Sequence, residues 1–96
     1  MNNNISTTAQ VAEQESRTIS GMDFVSLKAE ARRYYDVPTG KGGSTVRVYI
    51  EEPQWLHVRS SGSHTVIDAE GATHYIPSSF VHLAWFNKEG FEPAQF

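Results

Sequence analysis

The stretch Thr45–Glu51, which reads TVRVYIE, constrains the fold of this chain more than any other, because its side chains alternate strictly in character. Successive side chains of a β-strand point to opposite faces, so the alternation predicts a strand with one buried and one exposed face. The face predicted to be buried carries Val46, Val48 and Ile50. The opposite face includes Arg47 and Tyr49. This is the clearest strand in the sequence.

Two weaker strand signals follow the same logic. Pro53 ends the first strand, and Trp55–Ser60 resumes the pattern with Trp55 facing outward, so we expect a hairpin through Glu52-Pro53-Gln54. Near the end of the chain, Val81–Phe86 places every second large side chain on one face and predicts the last strand.

The segment Asp68-Ala69-Glu70-Gly71 predicts a second hairpin. Asp and Gly stand where a type I turn favours them, and glycine can adopt the left-handed conformation that closes such a turn. The turn would join His64–Asp68 to Ala72–Pro77, with Asp68 opposite Ala72, and this register places Val66 opposite His74.

An amphipathic helix is predicted over Met22–Asp36. Apolar residues recur there at helical spacing, namely Phe24, Leu27, Ala31 and Tyr34. Charged residues occupy mostly the other side, and three of them form a basic face: Lys28, Arg32 and Arg33. Pro38 disfavours helical geometry at the preceding residue and sets the end of the helix.

These elements predict an α+β, mainly β fold, in which the N-terminal helix packs on a small five-stranded antiparallel barrel-like sheet. With 96 residues the chain is expected to form one domain. Residues 1–20 carry too few apolar side chains to offset the entropy of ordering them, so we expect a disordered tail. The domain would span residues 21–88, and residues 89–96 would form a C-terminal tail.

Composition excludes several classes of protein. Without cysteine the chain has no disulfide framework, cysteine zinc site or thiol nucleophile. Its formal net charge of −3 is unlike the basic excess of proteins that bind duplex DNA. Residues 1–21 lack the features of a secretory signal, and no stretch is apolar enough for a membrane span, so we expect a cytoplasmic location.

The run Tyr75-Ile76-Pro77-Ser78-Ser79-Phe80-Val81-His82-Leu83 resembles the end of Src-homology-three domains, and Trp55-Leu56-His57-Val58-Arg59 resembles the tryptophan strand of that family. The resemblance covers about Thr45 to Leu83. Phe80 stands where the family has tyrosine, and the acidic loop that selects basic ligands has no counterpart in Thr39–Ser44. The resemblance implies barrel geometry and, more weakly, binding of proline-rich peptides.

Two binding surfaces follow from these patterns. Trp55 and Phe80 are predicted to flank Pro77 and to form an aromatic groove for an extended or polyproline peptide. The alternative is a surface for single-stranded nucleic acid, in which outward arginines interleave with aromatic rings. Its residues are Arg47, Tyr49, Trp55 and Arg59.

Catalytic and metal sites are not expected. The four histidines are His57, His64, His74 and His82, and no two of them have the close spacing of a local metal-binding pair. Ser60, Ser61 or Ser63 near His64 and Asp68 supplies the residue types of a triad, but no nucleophile elbow accompanies them. The glycine-rich segment Thr39–Ser44 fails the phosphate-loop pattern. We therefore expect no enzyme activity, no cofactor and no metal.

The sequence thus predicts a non-catalytic module that binds a protein or peptide, or a small inhibitor or regulator protein of the kind carried by mobile elements. It would act through the aromatic surface. A single-stranded nucleic-acid-binding small barrel is the alternative. The identity of the partner and the oligomeric state stay open at this point.

Overall fold

A computed structural model describes residues 15–90, and within this range every regular element is a β-strand. The eight strands are β1 (Ser16–Ile19), β2 (Met22–Ser26), β3 (Glu30–Pro38), β4 (Thr45–Glu51), β5 (Pro53–Val58), β6 (His64–Asp68), β7 (Thr73–Ile76) and β8 (His82–Asn87). The predictions for residues 1–14 and 91–96 lie outside the described range. No helix in that range is long and apolar enough to cross a membrane.

The strands form two open antiparallel sheets. One sheet has five strands in the order β1-β2-β5-β6-β7, and the other has three in the order β4-β3-β8. The prediction of one barrel-like five-stranded sheet is therefore wrong. The chain builds two separate sheets because β3 pairs with β4 and β8 on its two sides and leaves the other strands to pair among themselves.

The predicted helix over Met22–Asp36 is also wrong, because this segment forms β2, a tight turn and β3. The turn is closed by a hydrogen bond from the Glu30 amide to the Leu27 carbonyl at 2.9 Å. In β3 Arg33 and Tyr35 are buried with a period of two, and Glu30 is buried at the start of the strand, before a register shift. The helical spacing was misleading because it required Arg33 to face solvent, whereas its side chain is only 4% exposed.

The connection at Glu52 moves the chain from one sheet to the other and is not the predicted hairpin. β4 pairs with β3, whereas β5 pairs with β2 and β6. Glu52 adopts a φ of 50°, and its amide donates to the Ala31 carbonyl while its carbonyl accepts from the Ala69 amide, both at 2.9 Å. The buried Pro53 begins β5 immediately after this bend.

The second hairpin is confirmed with its register. Val66 lies opposite His74, and the Asp68 amide donates to the Ala72 carbonyl at 3.0 Å. Gly71 has a φ of 87°, and the Asp68 carboxylate accepts from the Glu70 and Ala72 amides. The strand Thr45–Glu51 is confirmed as well.

Two predicted strands have different bounds in the structure, and the segment predicted as a tail contains a strand. The strand predicted at Trp55–Ser60 runs from Pro53 to Val58, and the last strand begins at His82 and ends at Asn87. β1 lies inside the predicted disordered tail, where a two-residue turn at Ser20-Gly21 with positive φ at both positions joins it to β2.

The core lies between the two sheets. Its buried residues are Leu27, Tyr35, Ile50, Val66 and Ile76. Half-buried side chains packed around them are Val37, Val48, Leu56, Phe80 and Leu83. Val48 and Ile50 face inward as predicted, whereas Val46, at the start of β4, is 51% exposed. One face of the three-stranded sheet is thus covered, and residues 15–90 leave its opposite face open.

Candidate functional site

The open face of the three-stranded sheet brings nine side chains into a regular grid, which we call the outer aromatic face. The strand register gives three rows of three: Arg32, Glu51 and Phe86; Tyr34, Tyr49 and Ala84; and Asp36, Arg47 and His82. Residues paired across antiparallel strands share one face, so the register alone places these nine together.

Tyr34 stands at the centre of the outer aromatic face. Its ring centroid lies 5.5 Å from that of Tyr49, 5.6 Å from that of His82 and 6.2 Å from that of Phe86. The guanidinium of Arg47 lies over the Tyr34 ring, 4.0 Å from its centroid. The rings therefore form one connected cluster on the sheet and are not separate surface residues.

The charges of the outer aromatic face are internally paired. Arg47 donates two hydrogen bonds to the Asp36 carboxylate, at 2.8 and 3.1 Å, and His82 Nδ1 lies 3.2 Å from the same carboxylate. Arg32 pairs with Glu51 at 3.1 Å. The hydrogen bonds from Arg47 and then from His82 hold the pKa of Asp36 below its usual value, and Asp36 in turn raises the pKa of Arg47.

Large apolar surface remains exposed between these pairs. Tyr49 is 50% exposed and Phe86 is 52% exposed. Single exposed apolar residues are ordinary on protein surfaces, but a connected set of aromatic rings marks a surface suited to a partner.

The predicted site residues divide among three places in the structure. Arg47 and Tyr49 belong to the outer aromatic face. Trp55 lies half-buried on the five-stranded sheet, with Arg17 and Lys28 each within 5.0 Å of its ring centroid. Phe80 packs at 5.1 Å from the rings of both Tyr35 and His64.

Trp55 and Phe80 do not flank one groove. Trp55 shares its sheet face with Ile67, its partner on β6, whereas Phe80 contacts His64, whose side chain belongs to the other face of β6. The two rings thus lie on opposite faces of the five-stranded sheet. Pro77 and Arg59 instead line a cavity at one end of that sheet.

A buried polar network runs through the core beside this cavity. The Arg33 guanidinium donates to both carboxylate oxygens of Glu30, at 2.8 and 2.7 Å, and to the Tyr35 hydroxyl at 2.8 Å. The Tyr35 hydroxyl lies 2.7 Å from His64 Nδ1. Burial raises the pKa of Tyr35, and burial together with the charge of Arg33 lowers the pKa of His64.

The four histidines are dispersed among separate partners. His57 Nδ1 contacts the Asp23 carbonyl, His74 pairs with Asp68, and the other two pair with Tyr35 and Asp36 as described above. Over residues 15–90 no group of three or more His, Asp or Glu side chains could hold a metal ion.

Of the nine side chains of the outer aromatic face, only Arg47 and Tyr49 belong to the binding surfaces predicted from the sequence. The predicted helix contains Tyr34 and Asp36, and a helix there hides their alignment with Arg47 and Tyr49. The signal that could have found them is the pair of adjacent tyrosines followed by Val37, since tyrosine and valine favour a strand, in which Arg32, Tyr34 and Asp36 share one face. His82 and Phe86 then join them through the pairing of β8 with β3.

Comparisons with known proteins identify no relative: no family model, no curated protein and no solved structure matches this chain. The resemblance of Tyr75–Leu83 to Src-homology-three domains therefore stays a prediction.

Proposed function

We propose that this chain is a non-catalytic protein-binding module and that the outer aromatic face is its binding surface. The observation that carries the proposal is the connected cluster of Tyr34, Tyr49 and Phe86 on an open sheet face, with two of the three rings half exposed. Tyrosine, phenylalanine and arginine are the residue types enriched at the centres of protein interfaces.

The pairing of charges favours a protein partner over a single-stranded nucleic acid. Phosphate binding needs cations that are free to neutralise it, but Arg32 and Arg47 already face Glu51 and Asp36. Stacking of bases needs open ring faces, and Arg47 covers the central ring, that of Tyr34. A protein surface of mixed apolar and polar character suits this face without displacing either ion pair.

The partner we expect is a cytoplasmic protein whose activity the chain inhibits or regulates. The sequence-based prediction of a small inhibitor or regulator protein carries this part of the proposal.

The test is affinity capture from a lysate of the source cells with the immobilised parent chain and three variants. Tyr49→Ala and Phe86→Ala each remove an exposed ring of the outer aromatic face. Val58→Ala is the matched control, because Val58 is 54% exposed but lies on the five-stranded sheet. Near-ultraviolet circular dichroism checks that all variants are folded.

We expect the parent and Val58→Ala to retain the same protein in stoichiometric amount, with nuclease treatment having no effect. Both ring variants should lose it. Retention of the protein by both folded ring variants, or release by nuclease, would contradict the proposal.

A further inference from the structure

A shallow cavity of about 280 Å³ lies where β7 ends, on the five-stranded sheet and away from the outer aromatic face. It is lined by Arg59, Ser63, His64, Thr65, Tyr75, Ile76 and Pro77. Its size is slightly below the range of about 300–1,000 Å³ typical of sites for drug-sized molecules. One or two side chains of a peptide would fill it.

Arg59 brings a positive charge to this cavity that no carboxylate in residues 15–90 neutralises. Its guanidinium donates to the hydroxyl of the buried Thr65 at 3.3 Å and lies 5.8 Å from the centroid of the Tyr75 ring. These two contacts hold the guanidinium on the cavity wall. Since none of the lining residues is acidic, the cavity favours a negatively charged group.

Arg59 is the one charged side chain among the residues that line this cavity. Successive side chains of β6 point to opposite faces, so Thr65, which holds Arg59, lies on the face opposite to the His64 side chain. The His64 ring instead contacts Tyr35 and Phe80 in the core.

The open edge of β7 starts beside this cavity. Within residues 15–90, β7 is an edge strand of the five-stranded sheet, and the hydrogen-bonded closing pair of its hairpin is Asp68 with Ala72. Hydrogen-bonded pairs alternate along an antiparallel ladder, so the amide and carbonyl groups of Thr73 and Tyr75 point away from β6. An extended peptide can pair with such an edge through its backbone.

We propose that β7 binds an extended peptide as an added strand and that the cavity takes the C-terminal carboxylate of this peptide, with Arg59 as its donor. Backbone pairing with Thr73 and Tyr75 would give affinity. The exposed ring of Tyr75, together with Pro77, would contact an apolar last side chain. A carboxylate fits better than a phosphate because the cavity holds one cation, whereas a phosphate group carries up to two negative charges.

The test is an NMR titration of the full chain with acetyl-Thr-Val-Thr-Val-Leu, which ends in a free carboxylate, and with the same peptide amidated at its C-terminus. The amides of Thr73 and Tyr75 and the side chain of Arg59 are the reporters. Arg59→Gln removes the cation, and Lys41→Gln is the charge-matched control because Lys41 lies in the exposed β3–β4 turn. Thr73→Pro removes an edge amide that the ladder of β6 does not use.

We expect the acid to bind about tenfold more tightly than the amide, as one charge-assisted contact allows. Arg59→Gln should abolish that difference and Lys41→Gln should keep it, whereas Thr73→Pro should weaken both peptides alike. Equal affinity for acid and amide would overturn the proposal, as would unmoved Thr73 and Tyr75 amides at millimolar peptide. If inorganic phosphate moves Arg59 as strongly as the peptide does, the cavity is a general anion site and the peptide proposal is wrong. None of these results depends on the outer aromatic face.

Discussion

The buried ion pair between Glu30 and Arg33 gives the sharpest prediction about stability. Their side chains are 9% and 4% exposed, and two hydrogen bonds join them. Replacing one partner leaves the other charge in the core without compensation. We therefore predict that Arg33→Leu strongly destabilises the fold, whereas the double variant Glu30→Leu/Arg33→Leu recovers much of the loss.

The expected magnitude follows from burial. Breaking a buried pair from one side costs about 3–5 kcal/mol of the free energy of unfolding. At about 4–8 °C per kcal/mol for a domain of this size, Arg33→Leu should lower the Tm by roughly 12–40 °C. The double variant removes both charges, and the Tyr35 hydroxyl keeps its bond to His64. The free energy of unfolding of the double variant should lie within about 2 kcal/mol of that of the parent.

Urea unfolding followed by tryptophan fluorescence measures these differences in a double-mutant cycle. The control cycle uses Arg32→Leu and Glu51→Leu, because that pair is 47% and 60% exposed and the same residue types are changed. Each single variant of this control pair should lower the free energy of unfolding by no more than about 1 kcal/mol.

Two outcomes would refute this reasoning. Either Arg33→Leu proves no more destabilising than Arg32→Leu, or the double variant is as unstable as the sum of its single variants. Each would mean that Glu30 and Arg33 are not a desolvated pair in the core.

Two further predictions concern a turn and a titration. Gly71→Ala should lower the free energy of unfolding by about 1–2 kcal/mol, because the φ of Gly71 is 87° while no atom lies within 4 Å of an added Cβ. Gly71→Asn should lower it by less, because asparagine tolerates the left-handed conformation better than alanine. Equal losses for the two variants in thermal unfolding would argue against backbone strain as the cause. The folded state lowers the pKa of His64, so below about pH 6.5 the unfolded chain binds more protons than the folded chain. The stability present above about pH 6.5 is therefore lost as the pH falls through the lowered pKa of His64. Between pH 7.5 and 5.5 the Tm of His64→Gln should therefore fall less than that of the parent, and parallel curves would contradict this.

Local signals were enough for the parts of the fold that depend on neighbouring residues. The turn at Asp68–Gly71 needs an acceptor side chain and a left-handed glycine within four positions, and both its geometry and its register were predictable. The alternation of Thr45–Glu51 likewise predicts a strand without any knowledge of the strands that pair with it.

The errors arose where distant pairing decides the structure. Arg33 looks like a surface residue until Glu30 and Tyr35 are known to surround it, and this hid the period of two in β3. The bend at Glu52 has the same local sequence signal as a hairpin, yet only the pairing partners of β4 and β5 show that the chain changes sheets.

The residues of the candidate site were predictable only where the strand that carries them was predicted. Arg47 and Tyr49 came from a correctly identified strand, so their outward orientation was right. The outward orientation of Trp55 in β5 was predicted too, but the cations that cover its ring come from other parts of the chain.

Calorimetry with the purified captured partner tests the central claim most directly. The parent, Tyr49→Ala and Val58→Ala would be titrated at two salt concentrations. The account predicts a loss of about 2 kcal/mol or more for Tyr49→Ala, less than about 0.5 kcal/mol for Val58→Ala, and a shallow salt dependence for all three. Equal affinities of the folded Tyr49→Ala variant and the parent would contradict the assignment of the outer aromatic face as the binding surface.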